Sequence, residues 1–126
     1  MIVKKMPILQ GFPDFETVKF FTGKFFQKYN FTPVFYDIET TGLSRNSTYL
    51  YLIGAVGIED ETWNFYQWMA ENASEEETIL RIFSQFLQKC DLLISYNGDR
   101  FDQPYLEARY EKYGIPSPFT GKQSLD

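Results

Sequence analysis

The sequence contains no histidine and a single cysteine. Without an imidazole, no Ser/His or Cys/His catalytic pair can be assembled from its residues, and no His-containing zinc site either. Cys90 alone cannot form an internal disulfide; it ends an apolar helical stripe and reads as a buried thiol rather than a nucleophile. No run approaches the roughly 18 apolar residues of a membrane helix, and the opening MIVKKMPILQGFPDF lacks the apolar stretch of a secretory signal. These absences point to a cytoplasmic protein with no membrane partner, whose chemistry rests on carboxylates, hydroxyls, Lys or Tyr.

What is abundant is apolar and aromatic. With 44% hydrophobic and 19% aromatic residues, 126 residues suffice for one globular domain with a substantial core. The formal charge of −5 argues against an all-over basic nucleic-acid binder, but it is unevenly spread. Residues 1–31 carry five Lys against Asp14 and Glu16, while residues 32–126 carry seven Lys/Arg against fifteen Asp/Glu. An enzyme that holds divalent cations between its own carboxylates and phosphate tolerates such an acidic balance.

The segment Thr32–Glu39 (TPVFYDIE) reads as a central strand with apolar side chains on both faces. TTGLSRNST is a loop, and Tyr49–Ile58 a second buried strand in which Gly54 and Gly57 mark a bulge or a close approach. EDET turns the chain and WNFYQWM returns it as an antiparallel partner. Ser74 is the expected cap of a helix whose stripe is Ile79, Leu80, Phe83, Phe86, Leu87 and Cys90; Glu75, Glu76 and Glu77 read as its solvated first turn. Asp91–Tyr96 is a short buried strand, followed by a loop, a helix with Pro104 in its first turn and Gly114 as its stop, and a last strand beginning at SLD. The expected fold is therefore a mixed α/β sheet: three antiparallel strands, then helix, strand, helix and strand. Residues 1–31 read as an aromatic and basic extension packing on the domain, either a hairpin turning at Thr22 and Gly23 or a broken helix stripe, with a stacking platform for single strands as the alternative.

Asp37 and Glu39 stand two apart on the first strand and therefore share a face. Side by side in a buried strand they repel one another and burial penalises both charges, so a divalent cation is the natural compensation. Mg²⁺ or Mn²⁺, which prefer carboxylate and water oxygens, suit the pair better than zinc. Asp102, just beyond the strand Leu92–Tyr96, reaches the same sheet edge if the two strands are neighbours; its alternative role is a helix-cap acid. A water-facing edge strand is the alternative for Asp37 and Glu39.

DIETTGL followed by YNGDRFDQPYL resembles the first two motifs of the DEDD exonuclease superfamily, which has the ribonuclease H-like fold, and most closely its predicted YprB-like branch. The resemblance covers about Val34 to Asp126 and marks residues 32–126 as a partial exonuclease domain. It implies two-metal-ion hydrolysis of phosphodiester bonds at a nucleic acid 3′ end, DNA or RNA, with Asp37 bridging two Mg²⁺ or Mn²⁺ ions, Glu39 ligating one and placing the attacking water, and Asp102 as the second-motif acid. It also implies that Thr40, Thr41 and Gly42 form the floor under the terminal nucleotide and that Tyr96, Asn97 and Gly98 shape the facing wall. Leu43 either presses on the base or packs in the core, and Phe101 packs under the sheet. The fourth acid and the general base of the family, a His or Tyr in a later helix, have no counterpart before Asp126. The domain is therefore expected to be C-terminally incomplete, to hold metal weakly, to have little or no activity alone, and to self-associate or be covered by a further segment. A catalytically inactive nucleic-acid-binding or regulatory module of the same fold is the rival reading, and a phosphatase with an Asp37 nucleophile ranks below it.

Overall fold

The computed structural model describes residues 1–8, 32–59, 62–95 and 98–125. Six strands form one sheet: β1 (Ile2–Pro7), β2 (Pro33–Thr40), β3 (Leu50–Glu59), β4 (Thr62–Met69), β5 (Leu92–Ile94) and β6 (Gln123–Leu125). Their spatial order is β1-β4-β3-β2-β5-β6, antiparallel from β1 through β2 and parallel from β2 through β6. The mixed sheet expected from the sequence is therefore present. The helices α1 (Glu76–Leu87) and α2 (Gln103–Lys112) make the two crossovers that parallel neighbours require.

β2 lies between β3 and β5, and its pattern explains what it positions. Val34, Tyr36 and Ile38 are buried on the face covered by α1 and α2, while Phe35, Asp37 and Glu39 point the other way. Phe35 is half-buried, but Asp37 and Glu39 are exposed. This corrects the expectation of a strand buried on both faces: the central strand has one apolar face and one that becomes polar toward its C-terminal end. On the helix side, Ile53 and Ala55 of β3 and Tyr66 and Trp68 of β4 join Ile79, Leu80 and Phe83 of α1 in one core. Fully burying a Leu or Phe side chain of this kind contributes about 1.5–3 kcal/mol.

Gly57 fits the close-approach reading, since a Cβ there would lie 3.1 Å from the Phe86 ring, whereas Gly54 has ordinary space around it. The register is regular at both glycines; the irregularity lies between Glu39 and Thr40. β1, a strand the sequence reading had not resolved, pairs along β4 from Ile2↔Met69 to Pro7↔Asn64. A hairpin at Thr22 and Gly23, and the stacking platform, lie outside the described residues.

The start of α1 differs from expectation. Asn72, not Ser74, is the capping residue, and it caps a 3₁₀ turn, Ala73–Glu75, that precedes the helix: its side chain accepts a hydrogen bond from the Ser74 N–H (3.0 Å), while Glu75, the residue before α1, makes no side-chain capping bond. Glu75 pairs with the N-terminal ammonium of Met1 (2.7 Å), and Glu77 with Arg81 one turn along (2.9 Å). Glu76 is not solvated at all. It is fully buried and ion-paired with Arg109 of α2, itself only 3% exposed. Arg109 Nε donates to Glu76 Oε2 (2.8 Å) and Nη2 to Oε1, in the forked geometry that suits guanidinium to carboxylate. The Leu50 N–H (2.7 Å) and the Tyr113 hydroxyl (2.6 Å) complete the shell of the carboxylate.

A buried charge stripped of its partner is far costlier than an exposed pair broken at the surface. Arg109→Met is expected to destabilise the fold by about 3–5 kcal/mol, whereas Arg81→Met costs at most about 0.5 kcal/mol; denaturant unfolding of the two variants checks the contrast.

Candidate functional site

At the C-terminal end of β2, Asp102 lies beside Asp37 and within reach of the Glu39 charge. Asp37 and Glu39 project from the same strand face, and Asp102 closes a π-helical turn, Gly98–Asp102, that leads directly into α2. That turn follows β5, which lies parallel to β2, so the parallel register delivers Asp102 beside Asp37. As residue before the helix, Asp102 makes no capping hydrogen bond, which removes the cap-acid reading. Pro104 in the first turn needs no such acceptor. The edge-strand reading of Asp37 falls as well, since β2 has neighbours on both sides.

The cost of gathering these charges falls on Asp102. It is only 5% exposed, and burial, then the charge of Asp37 and a hydrogen bond to it, push its carboxyl up to about 7; the Ile38 backbone N–H opposes the shift and the Glu39 charge adds to it. Protonated, Asp102 donates to Asp37. Ionised, it has no proton to give, and its Oδ2 is buried without a hydrogen-bond partner. An orphaned carboxylate oxygen beside a second carboxylate is a donor set suited to a hard divalent cation. Among the described residues, no three acidic, His or Cys side chains close on one point as a preformed cage. The three acids are thus gathered but not converged.

The loop after β2 is tied at its base and open at its tip. The Thr41 N–H donates to the Tyr49 carbonyl (3.0 Å), the Tyr49 N–H to Thr41 Oγ1 (3.0 Å), and Thr40 Oγ1 to the Gly42 carbonyl (2.6 Å). A Cβ on Gly42 would sit 2.8 Å from the Thr48 methyl, so the close approach at this glycine is made within the loop. Leu43 is 83% exposed and takes no part in the core. Beside Asp37 and Glu39, Phe35, Leu52, Val56 and Phe65 line a shallow cavity of about 300 Å³ on the open sheet face.

Across the site, Tyr96 and Asn97 lie outside the described residues. Gly98 is buried, and a Cβ there would stand 1.8 Å from Ser95 Oγ and 3.1 Å from the Tyr36 hydroxyl. Phe101 stacks on Tyr105 (5.6 Å between ring centroids) and packs against the core, as expected. Cys90 is buried, with its thiol pushed up to about 11 chiefly by desolvation, as a structural thiol should be.

The sequence reading missed Glu76 and Arg109, which brace the loop from behind. Arg109 Nη1 donates to the Arg45 carbonyl (2.9 Å), and Glu76 accepts from the Leu50 N–H where the loop enters β3. A signal was present: Glu76 precedes Ile79, Leu80 and Phe83 by three, four and seven residues and so belongs to the buried stripe.

Because Asp102 holds its proton more tightly folded than unfolded, it contributes stability that is full below the unfolded carboxylate range near pH 4 and is lost as pH rises through about 7. The metal-free protein should therefore lose thermal stability between about pH 4 and pH 7 at this site. Asp102→Asn flattens that part of the profile. Gly98→Ala should be destabilised at every pH, because the Ser95 contact is too short to absorb.

Comparison with known proteins agrees with this architecture. Residues 34–126 match the RNase H superfamily. A 47-residue stretch is 49% identical to DNA polymerase 1 of Pyrococcus abyssi, and a 45-residue stretch is 40% identical to a DNA polymerase of Methanocaldococcus jannaschii. Each stretch covers 36% of this chain but only 6% and 3% of the polymerases, so the chain corresponds to a small part of those relatives. The fold is similar to that of the family B DNA polymerase of Pyrobaculum calidifontis (TM-score 0.63, 18% identity, 77% of this chain and 15% of that one). It is also similar to E. coli Exonuclease I in complex with a dT13 oligonucleotide (TM-score 0.61, 13% identity, 77% and 28%). With strand order, crossovers and a superfamily match over well more than half its length in agreement, the chain belongs to the RNase H superfamily.

Proposed function

We propose that the domain is a metal-dependent 3′ to 5′ exonuclease on single-stranded DNA or RNA, with Asp37, Glu39 and Asp102 as cation ligands. The observation that carries this reading is the buried, partnerless Asp102 Oδ2 beside Asp37 at the end of the central strand. Similarity to the Exonuclease I complex, which contains an oligonucleotide, supports a nucleic-acid substrate. Placement in a YprB-like branch rests on DIETTGL and YNGDRFD.

Bound there, Mg²⁺ or Mn²⁺ supplies charge stabilisation for the phosphate and lowers the pKa of its water. The chain's own residues do the rest. Asp37 and Glu39, exposed on one face, present oxygens without having to be unburied first. Asp102, with one buried oxygen lacking a partner beside Asp37, would be the third ligand. The Thr40–Leu43 turn forms the floor under the terminal nucleotide: its backbone is fixed by the Thr41–Tyr49 hydrogen bonds, and Leu43, standing clear of the core, presses on the base. Tyr96 and Asn97 remain the proposed facing wall.

The rival reading, a binding module without turnover, is favoured by the absence of a converged cage among the described residues. The same absence supports weak cation binding by these 126 residues on their own, with the open sheet face taken up by self-association or a further segment. No helix among the described residues is long and apolar enough to cross a membrane.

On a 3′-labelled single strand with Mn²⁺, slow release of terminal nucleotides is expected. Asp37→Asn should cut it by at least about two orders of magnitude without lowering the melting temperature, since one charge pressing on Asp102 has gone. Equal release by parent and variant rejects Asp37 as a ligand; strand binding that needs no cation and yields no release selects the binding module.

A further inference from the structure

Asp102, Tyr105 and Arg109 follow one another at spacings of three and four residues, so they share one face of the α2 surface. Each meets the segment that runs from the end of β2 to the start of β3. Asp102 meets Asp37. The Tyr105 hydroxyl, on a fully buried side chain, lies 2.7 Å from Thr48 Oγ1, which in turn donates to the Ser44 carbonyl. Arg109, clamped by Glu76, extends its remaining Nη1 to the Arg45 carbonyl at 2.9 Å. Glu76 also receives the Leu50 N–H, so one buried ion pair holds the loop at Arg45 and again where it ends.

Resting on the exonuclease reading above, we propose that Arg109 is a positioning residue for the substrate's terminal nucleotide. Through the Arg45 carbonyl it sets the height of the Thr40–Leu43 floor against Asp102, which stands in the turn leading into the same helix. Arg109 touches neither substrate nor cation. Its position is suited to the task because a buried guanidinium satisfied on two sides by a carboxylate has little freedom, and its third hydrogen bond transfers that rigidity to an otherwise exposed loop. Lysine cannot replace it: a single ammonium keeps the charge opposite Glu76 but not the fork that reaches carboxylate and carbonyl together.

The consequence is a separation of two affinities. The cation site depends on Asp37, Glu39 and Asp102 and is insensitive to the loop; nucleotide binding depends on the loop. The experiment compares the parent chain with Arg109→Lys and with Thr48→Val, an isosteric change that removes the hydroxyl's bonds to Tyr105 and to the Ser44 carbonyl. Mn²⁺ affinity is measured by titration calorimetry, affinity for a short oligothymidylate with a 3′-terminal phosphorothioate linkage by fluorescence anisotropy in Mn²⁺, and loop order by hydrogen exchange of residues 41–49. Arg109→Lys should weaken oligonucleotide binding about tenfold and speed exchange across the loop, with Mn²⁺ affinity unchanged; Thr48→Val should act in the same direction to a smaller extent. Should Arg109→Lys fail to fold, Thr48→Val carries the test alone. Unchanged oligonucleotide affinity with a loosened loop overturns the proposal, as does a parallel loss of both affinities, which marks Arg109 as a support of the whole fold. A parent that binds neither Mn²⁺ nor oligonucleotide removes the exonuclease reading itself, and the proposal with it.

Discussion

Burying a carboxylate requires compensation, and among the described residues two are buried within the reach of one helix. Glu76 is answered inside the chain, by the forked Arg109 guanidinium, the Leu50 N–H and the Tyr113 hydroxyl. Asp102 has only the Ile38 backbone N–H to set against burial and the charges of Asp37 and Glu39, and one of its oxygens has no partner. The difference is what sets Asp102 apart as the proposed cation ligand, while Glu76 is satisfied within the fold. A fold that needed Asp102 only for stability would be better served by a neutral side chain, because the ionised form is penalised by burial and by two like charges.

The rest of the architecture follows from keeping that arrangement in place. The antiparallel half of the sheet supplies a stable central strand, and the parallel half brings the turn before α2 to its C-terminal end. Burial of Val34, Tyr36 and Ile38 under the helices fixes the face on which Asp37 and Glu39 stand, because a one-residue slip would exchange the two sets. The glycine at 98 then lets the turn pack against Ser95 and Tyr36. Each is a packing constraint that helps hold Asp102 beside Asp37.

Much of this was legible in the sequence where a residue's period agreed with its chemistry. Thr32–Glu39 and Tyr49–Ile58 read as strands from their apolar runs and are strands to within a residue, Pro33–Thr40 and Leu50–Glu59, and the apolar stripe of α1 is visible from Ile79 onward. Legibility failed where chemistry and period disagreed. Glu76 was read by its company, two other glutamates at a helix start, although its phase places it with the core. The burial of Asp37 and Glu39 was inferred from aromatic neighbours, but Phe35 is the only one of those on their face. IVKKMP carries no clear alternation, since an edge strand exposed along most of its length has little to alternate against. Arg109, on a helix of charged and aromatic residues, gave no signal until its partner was located across the loop.

The central claim, that Asp37, Glu39 and Asp102 form a divalent-cation site, is tested most directly by paramagnetic broadening. Mn²⁺ added at substoichiometric amounts to isotope-labelled protein should first erase the amide signals of residues 37–39 and 101–103, while those of Glu71, Glu75 and Glu77, acids of equal charge at the start of α1, persist. Asp102→Asn should abolish the selectivity. Broadening that begins at the α1 acids, or that spreads evenly over the surface without distinguishing the end of β2, would contradict the account.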